Sequence, residues 1–330
     1  MNHFLLSIGI YFLLACGCAH AQAPTVYLPL NEDLNDASGN ALHAVDAGSE
    51  STEFVSDPKR GRVAKFPASA HAQLPLNPKL DFGTNDFSVA FWVKIDAGVI
   101  PSSDPVIIGN KDWGSGKNRG FLVGLDGANE VGSHLWTVNA ADGNGGRLDW
   151  DADDNGTPNL VDGAWHFVAV VFDRDATMNV YLDGVLRQTD VAADSKDLTL
   201  TPGDLAPDDL PFTIMQDATG AYSADFEGFL DDILIYNRTL SPEEVTALNE
   251  NGYTIDPALG ATVYLPFDGD LTDLSGNGLS GTDAGTVSTG FVEDSQRGTV
   301  ASFPVAAHVT LPIDPKLDFG TEDFTVSFWV

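Results

Sequence analysis

Residues 80–93 read LDFGTNDFSVAFWV and residues 317–330 read LDFGTEDFTVSFWV. The likeness extends backwards without a gap: 25–93 and 262–330 align at an offset of 237, with 43 of 69 positions identical. The copies open TVYLPLNEDLNDASGN and TVYLPFDGDLTDLSGN. A period this long exceeds the roughly 20–50 residues of a solenoid unit and is a domain plus its linker. The spacing therefore predicts one complete domain over 24–253 and a linker, TIDPALGA, at 254–261. The stretch 262–330 then opens a second, truncated domain, and the chain reads as a fragment of a longer protein.

Within the first unit the pattern is that of strands. DFSVAFWVKI alternates Phe87, Val89, Phe91 and Val93 on one face, with Ala90 and Trp92 opposite. WHFVAVVFD (165–173) is apolar on both faces, as expected of a central strand covered on both sides. NVYLDGVLRQT reads as a hairpin whose Asp183-Gly184 pair suits a type I′ turn. GFLDDILIYN (228–237) is another strand. One short helix is expected in SPEEVTALNENG, with Ser241 as N-cap, Pro242 in the first turn, Glu244 closing a capping box and an end near Gly252. Many strands, Gly/Asp/Asn loops and almost no helix predict an all-β chain, an antiparallel β-sandwich.

These motifs carry a resemblance. LVDGAWHFVAVVFDRDATMNVYLDGVL followed by FEGFLDDILIYNRTLSPEEVTALNENG resembles the laminin G-like, concanavalin A-like lectin/glucanase jellyroll domain of bacterial secreted proteins. The DASGN turn after the first strand matches the family's N-terminal end. The resemblance implies a jellyroll whose relatives bind sugars, proteins or calcium, or serve as spacers beside a catalytic domain. It also implies that the last strand runs beside the first. Asp36, in the turn with Ser38 and Asn40, would then meet Asp231 and Asp232 at a rim, where they could share a structural calcium; an Asx turn with solvent-facing acids is the alternative.

Composition narrows the partners. The net charge of −32 opposes nucleic acid or an anionic membrane surface and suits cation binding or solubility in salt. FLLSIGIYFLLACGCA followed by AHA reads as a secretory signal peptide over 1–21, with no membrane insertion after cleavage. LLAC alternatively reads as a lipobox, which would anchor the chain through Cys16. Both cysteines, Cys16 and Cys18, lie in this segment, so the exported fold has no disulfide of its own.

Catalytic signatures are missing from the sequence: no Glu-x-Asp-x-x-Glu string, no Gly-x-Ser-x-Gly elbow, no cysteine after the leader and no His-x-x-x-His pair. An enzyme is not expected in this stretch. His166, after Trp165, reads as structural. Two loop clusters remain. In LDWDADDNGTPNLVDG, Asp151, Asp153, Asn155 and Gly156 take positions 1, 3, 5 and 6 of a calcium loop, and Asp162 takes position 12. A polar hairpin loop is an equal reading. Trp113, Trp136 and Trp150 fall in or beside loops, whereas Trp92 and Trp165 read as core by alternation. Trp113 with Asp112 and Asn118, joined by Trp150, would make a carbohydrate patch, indoles stacking on sugar C–H faces and polar groups taking hydroxyls; each Trp packing under its own loop is an equal reading. The expected function is an exported, non-catalytic module for a glycan or extracellular protein ligand, with calcium as cofactor; the alternative is a structural spacer.

Overall fold

The computed structural model describes residues 23–99, 104–113, 119–126, 135–142, 147–152, 158–174, 176–190, 210–221 and 226–253. In the second repeat it describes 261–275, 277–295, 297–321 and positions 324, 326 and 328. In chain order the strands are β1 (Val26–Leu28), β2 (Val45–Asp46), β3 (Glu53–Asp57), β4 (Gly61–Phe66) and β5 (Ala72–Gln73). Next come β6 (Phe87–Ile95), β7 (Val106–Gly109), β8 (Arg119–Asp126), β9 (Leu135–Asp142) and β10 (Arg147–Asp151). The last five of the sandwich are β11 (Trp165–Phe172), β12 (Met178–Leu182), β13 (Val185–Asp190), β14 (Thr213–Ile214) and β15 (Gly228–Tyr236), before helix α1 (Pro242–Asn251).

Two antiparallel sheets face each other. Sheet A has the order β13-β12-β11-β6-β15-β4-β3, with β1 also paired to β15; sheet B runs β10-β9-β8-β7-β14-β5-β2. Runs of chain neighbours (β13-β12-β11, β4-β3 and β10-β9-β8-β7) are joined by long-range pairings such as β11-β6, β6-β15 and β7-β14, as in a jellyroll. The pairing of β1 with β15 (Val26 opposite Ile235) agrees with the expected neighbouring of first and last strands.

Period-2 alternation explains the core. Phe87, Val89, Phe91, Val93 and Ile95 of β6 point between the sheets, with Val168, Val170 and Phe172 of β11 and Phe121, Val123 and Leu125 of β8. Phe87 is stacked between Phe82 (4.1 Å) and Phe172 (4.2 Å), and Phe121 leans on Phe87 at 5.2 Å and on Phe172 at 5.4 Å. The outer face of sheet A also carries apolar residues, Ala90, Phe167, Ala169, Leu234 and Tyr236, because α1 lies over them through Val245 and Leu248. β11 is thus covered on both faces.

The helix starts as its residues dictate. The Ser241 hydroxyl accepts from Glu244 N (3.2 Å), and the Glu244 carboxylate accepts from Ser241 N (2.8 Å), a reciprocal capping box; Gly252, at φ 69°, ends it. Asp183 (φ 52°) and Gly184 (φ 74°) turn the β12–β13 hairpin in the left-handed region that a type I′ turn requires.

The second repeat forms two small pairs. β16 (Thr282–Asp283) joins β19 (Val309–Thr310), and β17 (Gly290–Asp294) joins β18 (Gly298–Ser302).

Candidate ligand surfaces

The described sequence candidates separate instead of converging. Asp36 is buried, and its own turn uses its carboxylate. It accepts from Tyr27 N (3.0 Å), Ser38 N (2.9 Å), the Ser38 hydroxyl (2.9 Å) and Leu42 N (2.9 Å). Four donors fill the lone pairs of one carboxylate, so Asp36 is a structural knot with no oxygen left for a shared calcium. Asp231 is buried on β15 and bound to Arg60 Nε (2.6 Å), so a guanidinium stands where the rim reading placed a cation. Among the described residues no group of three or more His, Cys, Asp or Glu lies within reach of one metal ion.

In the 148–163 cluster, Asp151 is half-buried and pairs in register with Thr137. Asp162 accepts from Ala164 N (2.7 Å) and meets His166 Nε2 at 3.2 Å. His166 Nδ1 meets Asp183 at 3.0 Å, and these carboxylates, Asp183 first, raise the pKa of His166. Asp153, Asn155 and Gly156 lie outside the described residues, as does Asn118.

The tryptophans are distributed against expectation. Trp150 is buried between the sheets, 4.5 Å from buried Trp136, because Leu148 and Trp150 are the inward positions of β10. Trp150 therefore cannot present an indole to a sugar. Trp92 and Trp165, expected in the core, are half-buried on the outer face of sheet A, Trp92 packing at the edge of the cluster that α1 covers.

Two polar clusters result, one outside each sheet. On sheet B, Trp113 packs on Val106 and Leu122, apart from the main core; the indole is buried, with 9% of the residue's surface exposed on the outer side of the sheet against 1% for Trp150 between the sheets. The fit depends on Gly124: a Cβ there would stand 2.2 Å from the indole. Around Trp113 lie fully buried Asn110 and Lys111 and nearly fully buried Asn139. Lys111 Nζ donates to the carbonyls of Asp112 and Trp113 (3.3 Å for Trp113) and stands 3.6 Å from the Asp112 carboxylate. Asn139 Nδ2 donates to Trp113 O (3.4 Å), and Asn110 Oδ1 accepts from Phe121 N (2.8 Å). Asn110 Nδ2 and Asn139 Oδ1 are buried and meet no partner among the described residues. An unmatched buried amide costs about 1–3 kcal/mol, which a ligand hydroxyl could offset.

On sheet A the centre is Arg60, in the β3–β4 turn. Its guanidinium carbon lies 4.1 Å from the Trp92 ring centre and 5.6 Å from that of Trp165. It binds Asp231 through Nε and Asp232 through a terminal nitrogen (2.8 Å), and Asp232 also accepts from the Tyr27 hydroxyl (2.8 Å). A β-bulge between Asp231 and Leu234 makes this possible. The extra residue, Asp232, adopts φ 48°, so both successive carboxylates turn toward Arg60. Burial, then the neighbouring Asp232 charge, push the Asp231 carboxyl up to about 7, against the pull of Arg60. Nothing local in the sequence announces this cluster, because Arg60 and Asp231 are 171 positions apart.

Against known families, the Laminin_G_3 model of the concanavalin A-like lectin/glucanases superfamily matches residues 66–246, more than half of the chain. The chain belongs to that superfamily. Solved structures agree on the jellyroll. The binding domain of Paraclostridial mosquitocidal protein 1 superposes with a TM-score of 0.54 at 14% identity, covering 69% of this chain and 52% of that one. The botulinum neurotoxin serotype D ligand-binding domain, in complex with N-acetylneuraminic acid, gives 0.51 at 16% identity, covering 69% and 50%. Domain 4 of AbnA, an extracellular arabinanase from Geobacillus stearothermophilus, gives 0.49 at 20%, covering 69% and 98%. The chain spans about half the length of the two toxin domains, and at these identities the likeness is one of fold. No curated protein matches the sequence. No helix among the described residues is long and apolar enough to cross a membrane.

Proposed function

We propose that residues 24–253 of this superfamily member are an exported, non-catalytic binding module for a glycan or another cell-surface ligand, met on the outer face of sheet B at Trp113. The observation that carries the reading is the company Trp113 keeps. An indole outside the main core is bordered by two buried amides, Asn110 and Asn139, each with an unmatched polar atom. Apolar ring faces beside unspent donors and acceptors are what a hydroxylated ligand requires. Asp112 is half-buried beside Trp113 and adds a carboxylate.

The carboxylates argue for binding over turnover. Asp231, buried, and Asp232, half-buried, are adjacent, as acid–base chemistry would want, but one guanidinium and a phenol hold them in place. Two structures of similar fold are toxin binding domains, one in complex with N-acetylneuraminic acid, which is consistent with a recognition role. Calcium at the loop from Asp151 to Asp162 belongs to the same proposal.

Trp113→Ala decides it. We expect the exported chain to be retained on a glycan array or a cell-surface extract, and the variant to lose about tenfold in affinity, the scale of one aromatic contact. Unchanged retention would remove Trp113 from the binding surface.

A further inference from the structure

The outer face of sheet A has two ends. α1 covers one of them. No described element lies over the other, where pairing register sets out an ordered row. Trp165 stands opposite Lys94, Lys94 opposite Phe229, Phe229 opposite Lys65, and Lys65 opposite Glu53. The row crosses β11, β6, β15, β4 and β3, a span of roughly 19 Å at about 4.8 Å per strand. Beside it lies Trp92, between Phe167 and Asp231, with Arg60 over its ring.

The charges on this shelf select the ligand. Arg60 is matched by Asp231 and Asp232, Lys65 by Glu53 (3.1 Å) and Glu227 (3.0 Å), and Lys94 stands 3.8 Å from Asp57. No cation on the row lacks a carboxylate, so a polyanion finds no net positive field here and meets a chain of charge −32. A cation finds its acids already paired. The aromatic rings are separated by charged side chains and are only half-exposed, so they do not form the contiguous apolar patch of a protein interface. A neutral polyhydroxylated chain fits all three conditions. Its hydroxyls can both donate to carboxylates and accept from ammonium groups, and its C–H faces can rest on the half-exposed ring of Trp165, beside Trp92 and Phe229, whose rings already carry the Arg60 guanidinium (4.1 Å) and the Lys94 ammonium (4.8 Å).

We propose that this shelf is a second ligand surface, one that takes a neutral polysaccharide laid across the strands of sheet A. It is independent of the Trp113 surface, which lies outside the opposite sheet. The test is affinity electrophoresis of the exported full chain in gels containing arabinan, xylan, β-glucan or galactomannan, with polygalacturonate as the anionic counterpart. At least one neutral polymer retards the chain. Trp165→Ala weakens that retardation about tenfold, whereas Trp165→Phe, which keeps a ring and guards against a folding defect, keeps most of it. Trp113→Ala leaves it intact. The proposal is overturned if no neutral polymer retards the chain, if polygalacturonate does so in their place, or if Trp165→Ala migrates like wild type. Loss of all retardation with Trp113→Ala, and none with Trp165→Ala, would return binding to sheet B alone.

Discussion

Phe87 and Phe324 occupy equivalent places in the two repeats, and only one of them is covered. In the first repeat Phe66, Phe87, Val89 and Phe91 are all fully buried. Their counterparts Phe303, Phe324, Val326 and Phe328 are 49%, 62%, 70% and 78% exposed. The local structure nevertheless agrees between the copies. Asp273 repeats the knot of Asp36, accepting from Tyr264 N (3.0 Å), Ser275 N (2.9 Å), the Ser275 hydroxyl (2.8 Å) and Leu279 N (2.8 Å). The hydrogen-bonded turn is written within a few residues and forms wherever that string occurs. Burial is not local: it comes from β11, β15 and the strands of sheet B, which the first repeat has within the same domain. One sequence thus makes a core or an apolar surface according to what packs on it.

The largest expected effect tests that contrast directly. Phe87→Ala removes a ring stacked on Phe82 and Phe172 and should cost about 3–5 kcal/mol in urea unfolding of the exported chain. Phe324→Ala, at the matching position, should change the same transition by about 0.5 kcal/mol or less. Equal losses would mean that the second repeat's apolar face is covered in solution, and the contrast would fail.

A second difference concerns pH. The closed copy is fastened across β1, β15 and the β3–β4 turn by Asp231, Asp232, Arg60 and Tyr27. The Asp231 carboxyl is raised from its ordinary value to about 7, so between roughly pH 4 and 7 the folded chain holds a proton that the unfolded chain has released. Raising pH through this window therefore lowers stability, and the contribution is fully present only on the acid side. Asp231→Asn should flatten the slope, leaving the part due to Asp232, whose carboxyl burial also raises: relative to wild type, the variant gains on the order of 2 kcal/mol between pH 5 and pH 8. His166 titrates in both proteins and cancels in the difference. Parallel pH profiles would show that Arg60 neutralises the pair completely.

The two polar clusters also show how far the sequence could be read. Strands β6, β11 and β15, the β12–β13 turn and the capped helix were legible because each is decided by neighbours within about ten residues. The sorting of tryptophans was not. Alternation assigns Trp92 and Trp165 to one face of their strands, but whether that face is covered depends on where α1 ends. For Trp150 the signal was present: Leu148 and Trp150 alternate with Asp149 and Asp151, as in a strand with one wet face. The density of acids led that stretch to be read as a loop. Arg60 was beyond reach, since its partners are brought to it only by the closure of sheet A. For Asp36 the sequence supports both a turn and a metal ligand, and only the count of its donors in the folded chain favours the turn.

The smallest expected effect lies in the loop that follows β10. Asp151 ends β10 half-buried, and Asp162 offers Oδ1 to Ala164 N and His166, so the Asp162 carboxylate is held from the protein side before any ion arrives. Preorganised oxygens favour a hard cation, but few of them are fixed, and affinity should be modest. At ten times its dissociation constant calcium adds about 1.4 kcal/mol, or roughly 3–6 °C in Tm for a domain of this size. We therefore expect a chelator to lower the melting temperature of the exported chain by that amount, calcium to restore it, and Asp153→Ala to make the chain indifferent to both. A melting curve that ignores chelation would assign the loop to ordinary polar turns. The difference between the repeats would then rest on packing and the Arg60 cluster alone.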